Sequence, residues 1–303
     1  MRITLGMTTD NTLVNLNNQQ QQINTLSQDI ASGKDLQAPA DNPYSWSQVM
    51  NTTQSVREYN SLIGNVNFAT NWGKTTESSL SQLSTLLTQA QSVGETAISA
   101  AGQQNLPALA NEVSGILTQA VSLANTQYAG QYIFAGTATD TAPYSIDTGT
   151  GQVTYSGNTS YIQVKTSTSN GSSGGMTSVN QTGDDAFGSA GGGSNVLQQI
   201  WSLYSALKNG DSTGISTANA NLGNAFNQVN DQLSMVGTTL SGLTTQQSAL
   251  NTMVTNEQGV MSSLQDTDVA SATVKLTQAQ TAFQAALSVT SILDKLNLAS
   301  ILS

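Results

Sequence analysis

The chain carries a heptad at each of its two ends, and this constrains its fold more than any other feature. Leu16, Ile23 and Ile30 recur at seven-residue intervals, with Leu26 between them. A stripe this narrow is a coiled-coil seam, not the broad apolar face of a globular helix. Toward the other end, Leu233, Leu240, Gln247, Val254 and Met261 hold one seam position. Val236, Leu243, Leu250, Glu257 and Leu264 hold the other. After "QDTDVA" the phase moves by one residue. Val269, Leu276 and Phe283 then take the first position, and Ala272, Ala279, Ala286 and Leu293 the second. Such seams must be buried, and the simplest partner for the N-terminal helices is the C-terminal helices of the same chain.

Each end is interrupted once. "SGKDLQAPADNP" at 32–43 contains a glycine and two of the four prolines. Gly33 suits a helix C-cap, while Pro39 and Pro43 cannot sit in a helix interior. On the other side Asp266, Thr267 and Asp268 favour turns and caps. The breaks lie at similar distances from the chain ends, so pairing the helices sets both at one level. Gly33, Pro39, Asp41, Pro43, Asp266 and Asp268 are expected to form a hinge there.

Beyond the break, Val49, Val56 and Ile63 keep the seven-residue spacing, and Leu80, Leu83, Leu87 and Ala90 resume it after a slip near Gly73. This predicts one helix from Tyr44 to near Ala101, about 90 Å long. Pro107 fits the first turn of a third helix, expected to reach about Tyr128. "YSIDTGTGQVTYSG" predicts a strand, a turn and a strand, and "SYIQVK" a further strand. The Gly- and Ser-rich stretch that follows predicts loop. Helix returns over 196–208. The expected fold class is mainly α, a long coiled-coil helical rod of paired N- and C-terminal segments with a small β-rich inserted domain in the middle. Its parts are expected at 1–43 with 265–303 (terminal coiled coil), 44–134 with 196–264 (long-helix bundle), and 135–195 (outer insert).

Composition removes most catalytic chemistry. There is no Cys and no His, which excludes thiolate nucleophiles, imidazole bases and most zinc sites. Asp184 with Asp185, and Asp266 with Asp268, read as caps or turns, since the ligand pattern of a calcium loop is missing. "GSAGGGSN" lacks the lysine of a phosphate-binding loop. No enzyme activity, metal or cofactor is expected. Only 9% of residues are charged, with 8 basic residues spread thinly and a net charge of -10. Nucleic acid is therefore not an expected partner. No apolar run is long enough to predict a membrane span, and the first residues lack the apolar core of a cleavable signal. Trp46, Trp72 and Trp201 are expected to be packing anchors.

The tail "SILDKLNLASILS" is apolar on more than one face, so it is expected to be buried against other subunits. Leu16, Ile23, Leu26, Ile30, Val269, Leu276, Phe283, Leu287, Leu293 and Leu296 are the expected assembly residues. If Phe283 is a buried seam residue, Phe283→Ala is expected to cost about 3–5 kcal/mol.

Several segments share one resemblance. "RIT", "SGKDLQAPADNP", "TQYAGQYIFAGT", "APYSI", "GQVTYSG", "GDDAF" and "LQDTDVASATVKLTQAQTAFQAALSV" occur in that order. Together they resemble the flagellar hook-associated proteins of the flagellin superfamily. "GQYIFAGT" is the most telling, and "APADNP" stands where filament flagellins typically read with "AKDDAAG"-like residues. Asp35, Asn42 and Ser271 depart from the family pattern. The resemblance implies a structural component at the hook–filament junction, assembled as a ring of like subunits. Its implied partners are the preceding junction protein, flagellin, the flagellar type III export apparatus and an export chaperone. It implies secretion by that route, with terminal helices forming an inner tube, long helices the next layer and the insert the outer surface. Filament flagellin is the nearest alternative, and an adhesion protein on a coiled-coil stalk a more distant one.

Overall fold

Heptads fold into long helices here, and breakers end them. The structure, a computed structural model, describes residues 5–99, 102–147, 149–168, 174–190 and 194–301, with side chains described between 10 and 292. Helix α1 spans Leu5–Ser32 and α2 spans Pro43–Ile98. A short 3-10 turn at Gly102–Gln104 leads to α3, Leu106–Ala124, with Pro107 in its first turn. Among the described residues six short strands follow: β1 Gln127–Tyr128, β2 Gln131–Tyr132, β3 Tyr144–Ile146, β4 Val153–Tyr155, β5 Gln163–Lys165 and β6 Met176–Ser178. The chain ends with α4 Gly183–Phe187, α5 Val196–Asn209, α6 Ser212–Gln265 and α7 Val269–Ile301. The fold is mainly α, with long helices and small antiparallel sheets in the middle, as the sequence predicts.

The strands pair as three separate antiparallel hairpins, β1–β2, β3–β4 and β5–β6. Two of these differ from expectation. The third helix stops at Ala124 rather than near Tyr128, because Asn125 is drawn into the hairpins. Its Nδ2 donates to Tyr144 O at 2.8 Å, and Tyr144 N donates to its Oδ1 at 2.9 Å. Strand β6 lies in the stretch expected to be loop. It is specified by pairing (Lys165↔Met176, Gln163↔Ser178) rather than by its own composition. Likewise "GDDAF" is a helical turn. Thr182 caps it by accepting from Asp185 N, and the Asp185 side chain accepts from Thr182 N, a closed capping box.

Contacts divide the chain into two compact units, Tyr59–Thr252 and a second made of Met1–Glu58 with Met253–Ser303. In the first, α2 and α6 run antiparallel at a constant offset. Asn67 meets Gln247, Ser84 meets Asn230, and a side chain on Gly73 would strike Leu240. The predicted α6 seam is the buried one: Val236, Leu243 and Leu250 are buried, with Leu233 and Leu240 packed beside them. Helices α3 and α5 add Val113, Ile116, Leu117, Ile200 and Leu203 to the same core. The 135–195 stretch expected as an outer insert shares this core through Tyr144, Val153 and Phe187. Phe134 and Phe187 meet edge-to-face at 5.1 Å, and Tyr144 lies 5.1 Å from Phe187. Burial pushes the Tyr144 hydroxyl far above the ordinary tyrosine range, so it stays neutral. Trp72 is fully buried against Phe68 and Tyr128. Trp201 is partly buried and lies over Gly151, and Trp46 is partly buried.

Candidate functional site

The second unit holds the terminal helices, where the sequence places its assembly residues. Helices α1 and α7 pack together and run antiparallel, since Lys34 after α1 bridges Asp266 before α7. The less exposed positions of α1 include Thr12, Leu16, Gln19, Ile23, Leu26 and Ile30. Those of α7 are Ala272, Leu276, Ala279, Phe283, Ala286 and Thr290. Both sets alternate in steps of four and three, the spacing of a coiled-coil seam.

The seam is thin. Leu16 is buried, but Ile23, Leu26 and Ile30 are only half-buried, as are Leu276 and Phe283. Full burial of Phe283 is therefore not reached within one chain, and the 3–5 kcal/mol cost expected for its loss does not apply to it there. Val269 is 49% exposed and Leu287 46% exposed. Val269 opens α7, directly after the cap, and Leu287 lies one residue past the seam at Ala286. The side chains of Leu293 and Leu296 lie outside the described residues. Two of the three seam alanines, Ala272 and Ala279, are the most covered of the described residues of α7. Around this seam Leu13 and Val14 on α1, and Val274, Val289 and Ile292 on α7, stand more than 50% exposed.

The breaks lie side by side. Gly33 ends α1 with φ +72°, the left-handed conformation that favours glycine. Thr267 N donates to Gly33 O at 3.0 Å and Asp35 N to Gln265 O at 3.0 Å. Leu36 is buried there, 3% exposed, and Gln265 Nε2 donates to its carbonyl at 3.3 Å. Pro39 lies in a turn closed by Asp41 N donating to Ala38 O at 3.1 Å. Asp41 Oδ2 accepts from Ala38 N at 2.7 Å and Gln37 N at 2.9 Å. Those two bonds hold the Asp41 carboxyl below the ordinary carboxylate range. Burial raises Asp29, opposed by a bond from Gln37 and helped by Asp35 and Asp41. Pro43 is the first residue of α2, where its missing N–H costs nothing.

Asn42 caps α2 by accepting from Ser45 N at 3.1 Å. Asp268 caps α7 by accepting from Ala270 N at 3.0 Å and Ser271 N at 3.2 Å. Asp266 accepts from the Ser262 hydroxyl. The sequence singled out the breakers but not Lys34, Leu36 and Gln265. An apolar residue inside a polar break was the available signal for Leu36. Among the described residues no group of acids, His or Cys could hold a metal ion, and no helix is long and apolar enough to cross a membrane.

Fold and site define a class: chains whose two ends pair as long helices and whose middle carries small strand hairpins. The model of the bacterial flagellin N-terminal helical region matches residues 3–139, and that of the C-terminal helical region matches 220–302. The chain belongs to the flagellin superfamily. Flagellar hook-associated protein 3 of Escherichia coli is 26% identical over 308 aligned positions, covering 94% of each chain. Flagellar hook-associated protein 3 of Salmonella typhimurium is 31% identical over 154 positions, about half of either chain, 49% of this one and 48% of its own. Among solved structures, a putative flagellar hook-associated protein from Vibrio parahaemolyticus superposes with TM-score 0.64 at 19% identity, over 75% of this chain and all of its own. The flagellar junction protein FlgL of Legionella pneumophila gives 0.57 at 15% identity, over 72% of this chain and all of its own. At these identities the structures speak for the fold alone.

Proposed function

We propose that this chain is a hook–filament junction adaptor of the bacterial flagellum. The coarser part, a structural role in the flagellum, follows from its family. The observation that carries the finer part is the alignment with hook-associated protein 3 of Escherichia coli along 94% of both chains. Subunits would form a ring between the preceding junction protein and the first flagellin. They would reach it through the flagellar type III export apparatus, with an export chaperone on the way. Terminal helices would line the inside, the long helices the next layer and the hairpins the outside. The apolar side chains left exposed on α1 and α7 supply what such a ring needs, a face that one chain does not cover. Both relatives carry the name flagellar hook-associated protein 3.

Filament flagellin is the second reading, favoured by the two flagellin models that match the chain ends. Negative-stain microscopy of the purified chain separates the two. Failure to extend is expected for the junction protein, and long homopolymers would overturn that reading. In cells, a chain truncated before Ser288 is expected to give no filaments. Normal filaments on a strain carrying only that truncation would contradict a role for the terminal pair in assembly.

A further inference from the structure

The seam between α1 and α7 does not by itself fix how the two helices align. Sliding α7 by one heptad sets Ala279 where Ala272 stood, Ala286 where Ala279 stood, and Phe283 where Leu276 stood. The same slide on α1 exchanges Leu16, Ile23 and Ile30 among themselves. The Leu16, Ile23 and Ile30 position and the alanine position are thus nearly unchanged by a slip. Only the other positions resist it, by setting Thr290 where Phe283 stood and exchanging Thr12, Gln19 and Leu26, so the seam specifies register only in part. The connections add slack on one side, with residues 33–42 between α1 and α2 against 266–268 between α6 and α7.

The break supplies what the seam lacks. Thr267 N to Gly33 O and Asp35 N to Gln265 O flank Lys34 and Asp266. That pattern makes Lys34 and Asp266 a non-hydrogen-bonded antiparallel pair, the kind with the closest backbone approach. Residues of opposite charge stand directly across from each other, a favourable cross-strand pairing. Leu36 is buried beside it, and Gln265 grips its carbonyl. None of these contacts repeats every seven residues, so a slip of one heptad loses all of them together. Gly33 makes the turn that delivers the segment. A side chain at Gly33 would meet nothing within 4 Å, so only the backbone conformation demands glycine.

We propose that this bridge is a register clasp. Contact of Gly33–Leu36 with Gln265–Thr267 selects one alignment of α1 against α7 and holds it. The break is then a closed fixture of the folded chain, not a joint that opens.

The chain has no cysteine, so an introduced pair reports alone. The full chain carrying Lys34→Cys and Asp266→Cys is exposed to oxidised glutathione, which accepts the two electrons as the disulfide forms. The spacing of a non-hydrogen-bonded pair, about 4.5 Å between Cα atoms, suits a disulfide. Its rate is expected to exceed, by about tenfold, that of the chain carrying Lys34→Cys and Ser262→Cys, one helical turn away. Adding Gly33→Ala to the first pair should slow it about fivefold, because the left-handed turn becomes costly. Gly33→Asn, which tolerates that turn, should restore the rate to within about twofold. In the cysteine-free chain, Gly33→Ala should speed amide exchange at Asp35 and Thr267 by the same factor. Equal rates for the two cysteine pairs, or no effect of Gly33→Ala on either readout, would overturn the clasp.

Discussion

The two units are built from the same element, a heptad helix, yet they are buried very differently. In the unit at Tyr59–Thr252, Trp72, Leu80, Leu83, Leu87, Ile200 and Leu203 are fully enclosed. Among the described residues of the terminal unit the buried apolar side chains are Leu16, Leu36, Val49, Ala272 and Ala279, two of them alanines. Each fully buried Leu stabilises by about 1.5–3 kcal/mol relative to exposure, so the first unit carries the larger share of stability. Helices α2 to α6 and the hairpins share one core there, whereas the α1–α7 seam has one partner helix and exposed apolar side chains on its flanks. The lesson is that a heptad states which residues want burial, and the number of neighbours decides how much they obtain.

This contrast can be broken most sharply at Trp72. Trp72→Ala should cost about 3–5 kcal/mol in chemical denaturation followed by a probe in the Tyr59–Thr252 unit. A loss under about 1 kcal/mol would mean that this core is not what holds the unit together. Phe283→Ala should cost the isolated chain only about 1–2 kcal/mol, since part of the ring is already in water. The same variant should impair assembly far more than its stability loss implies. Equal, small effects on both would leave Phe283 out of the assembly face. Thr182→Ala opens the capping box and should cost about 1 kcal/mol, read as faster amide exchange over Gly183–Phe187 with the terminal unit unchanged.

The smallest effect is local and depends on pH. Asp41 is bonded to two backbone N–H groups, so its folded value lies below the ordinary 3.8. Its contribution is therefore present above about 3.8 and is lost as pH falls through the folded value. Asp29 is shifted upward and works in the opposite direction: its contribution appears as pH falls through its raised value. The amide resonances of Gln37 and Ala38 should move together as acid protonates Asp41, and should stay put in Asp41→Asn. Resonances that titrate alike in both chains would detach Asp41 from this turn.

Much of this was legible in the sequence, because periodicity is a local property. The α6 seam from Leu233 to Leu264, the caps implied by Gly33 and Asp268, and the helix boundary marked by Pro43 could be read from spacing and residue type. What was not legible depends on pairing between distant segments. The grip of Gln265 on Leu36 joins residues far apart in sequence, and neither residue is a turn former or a seam residue. Strand β6 is hidden because its Gly and Ser neighbours look like loop, and only β5 makes it a strand. The exposure of Leu287 and the half-burial of Phe283 were hidden too, because a seam residue looks the same whether one helix covers it or several.

The central claim is that the terminal pair is the less stable unit until other copies cover it. Hydrogen exchange on the purified full chain tests this directly. Amides of 272–290 should exchange through openings costing at least about 2 kcal/mol less than those protecting 80–93, and should gain protection in assembled flagella. Equal protection of the two stretches in the isolated chain would contradict the account.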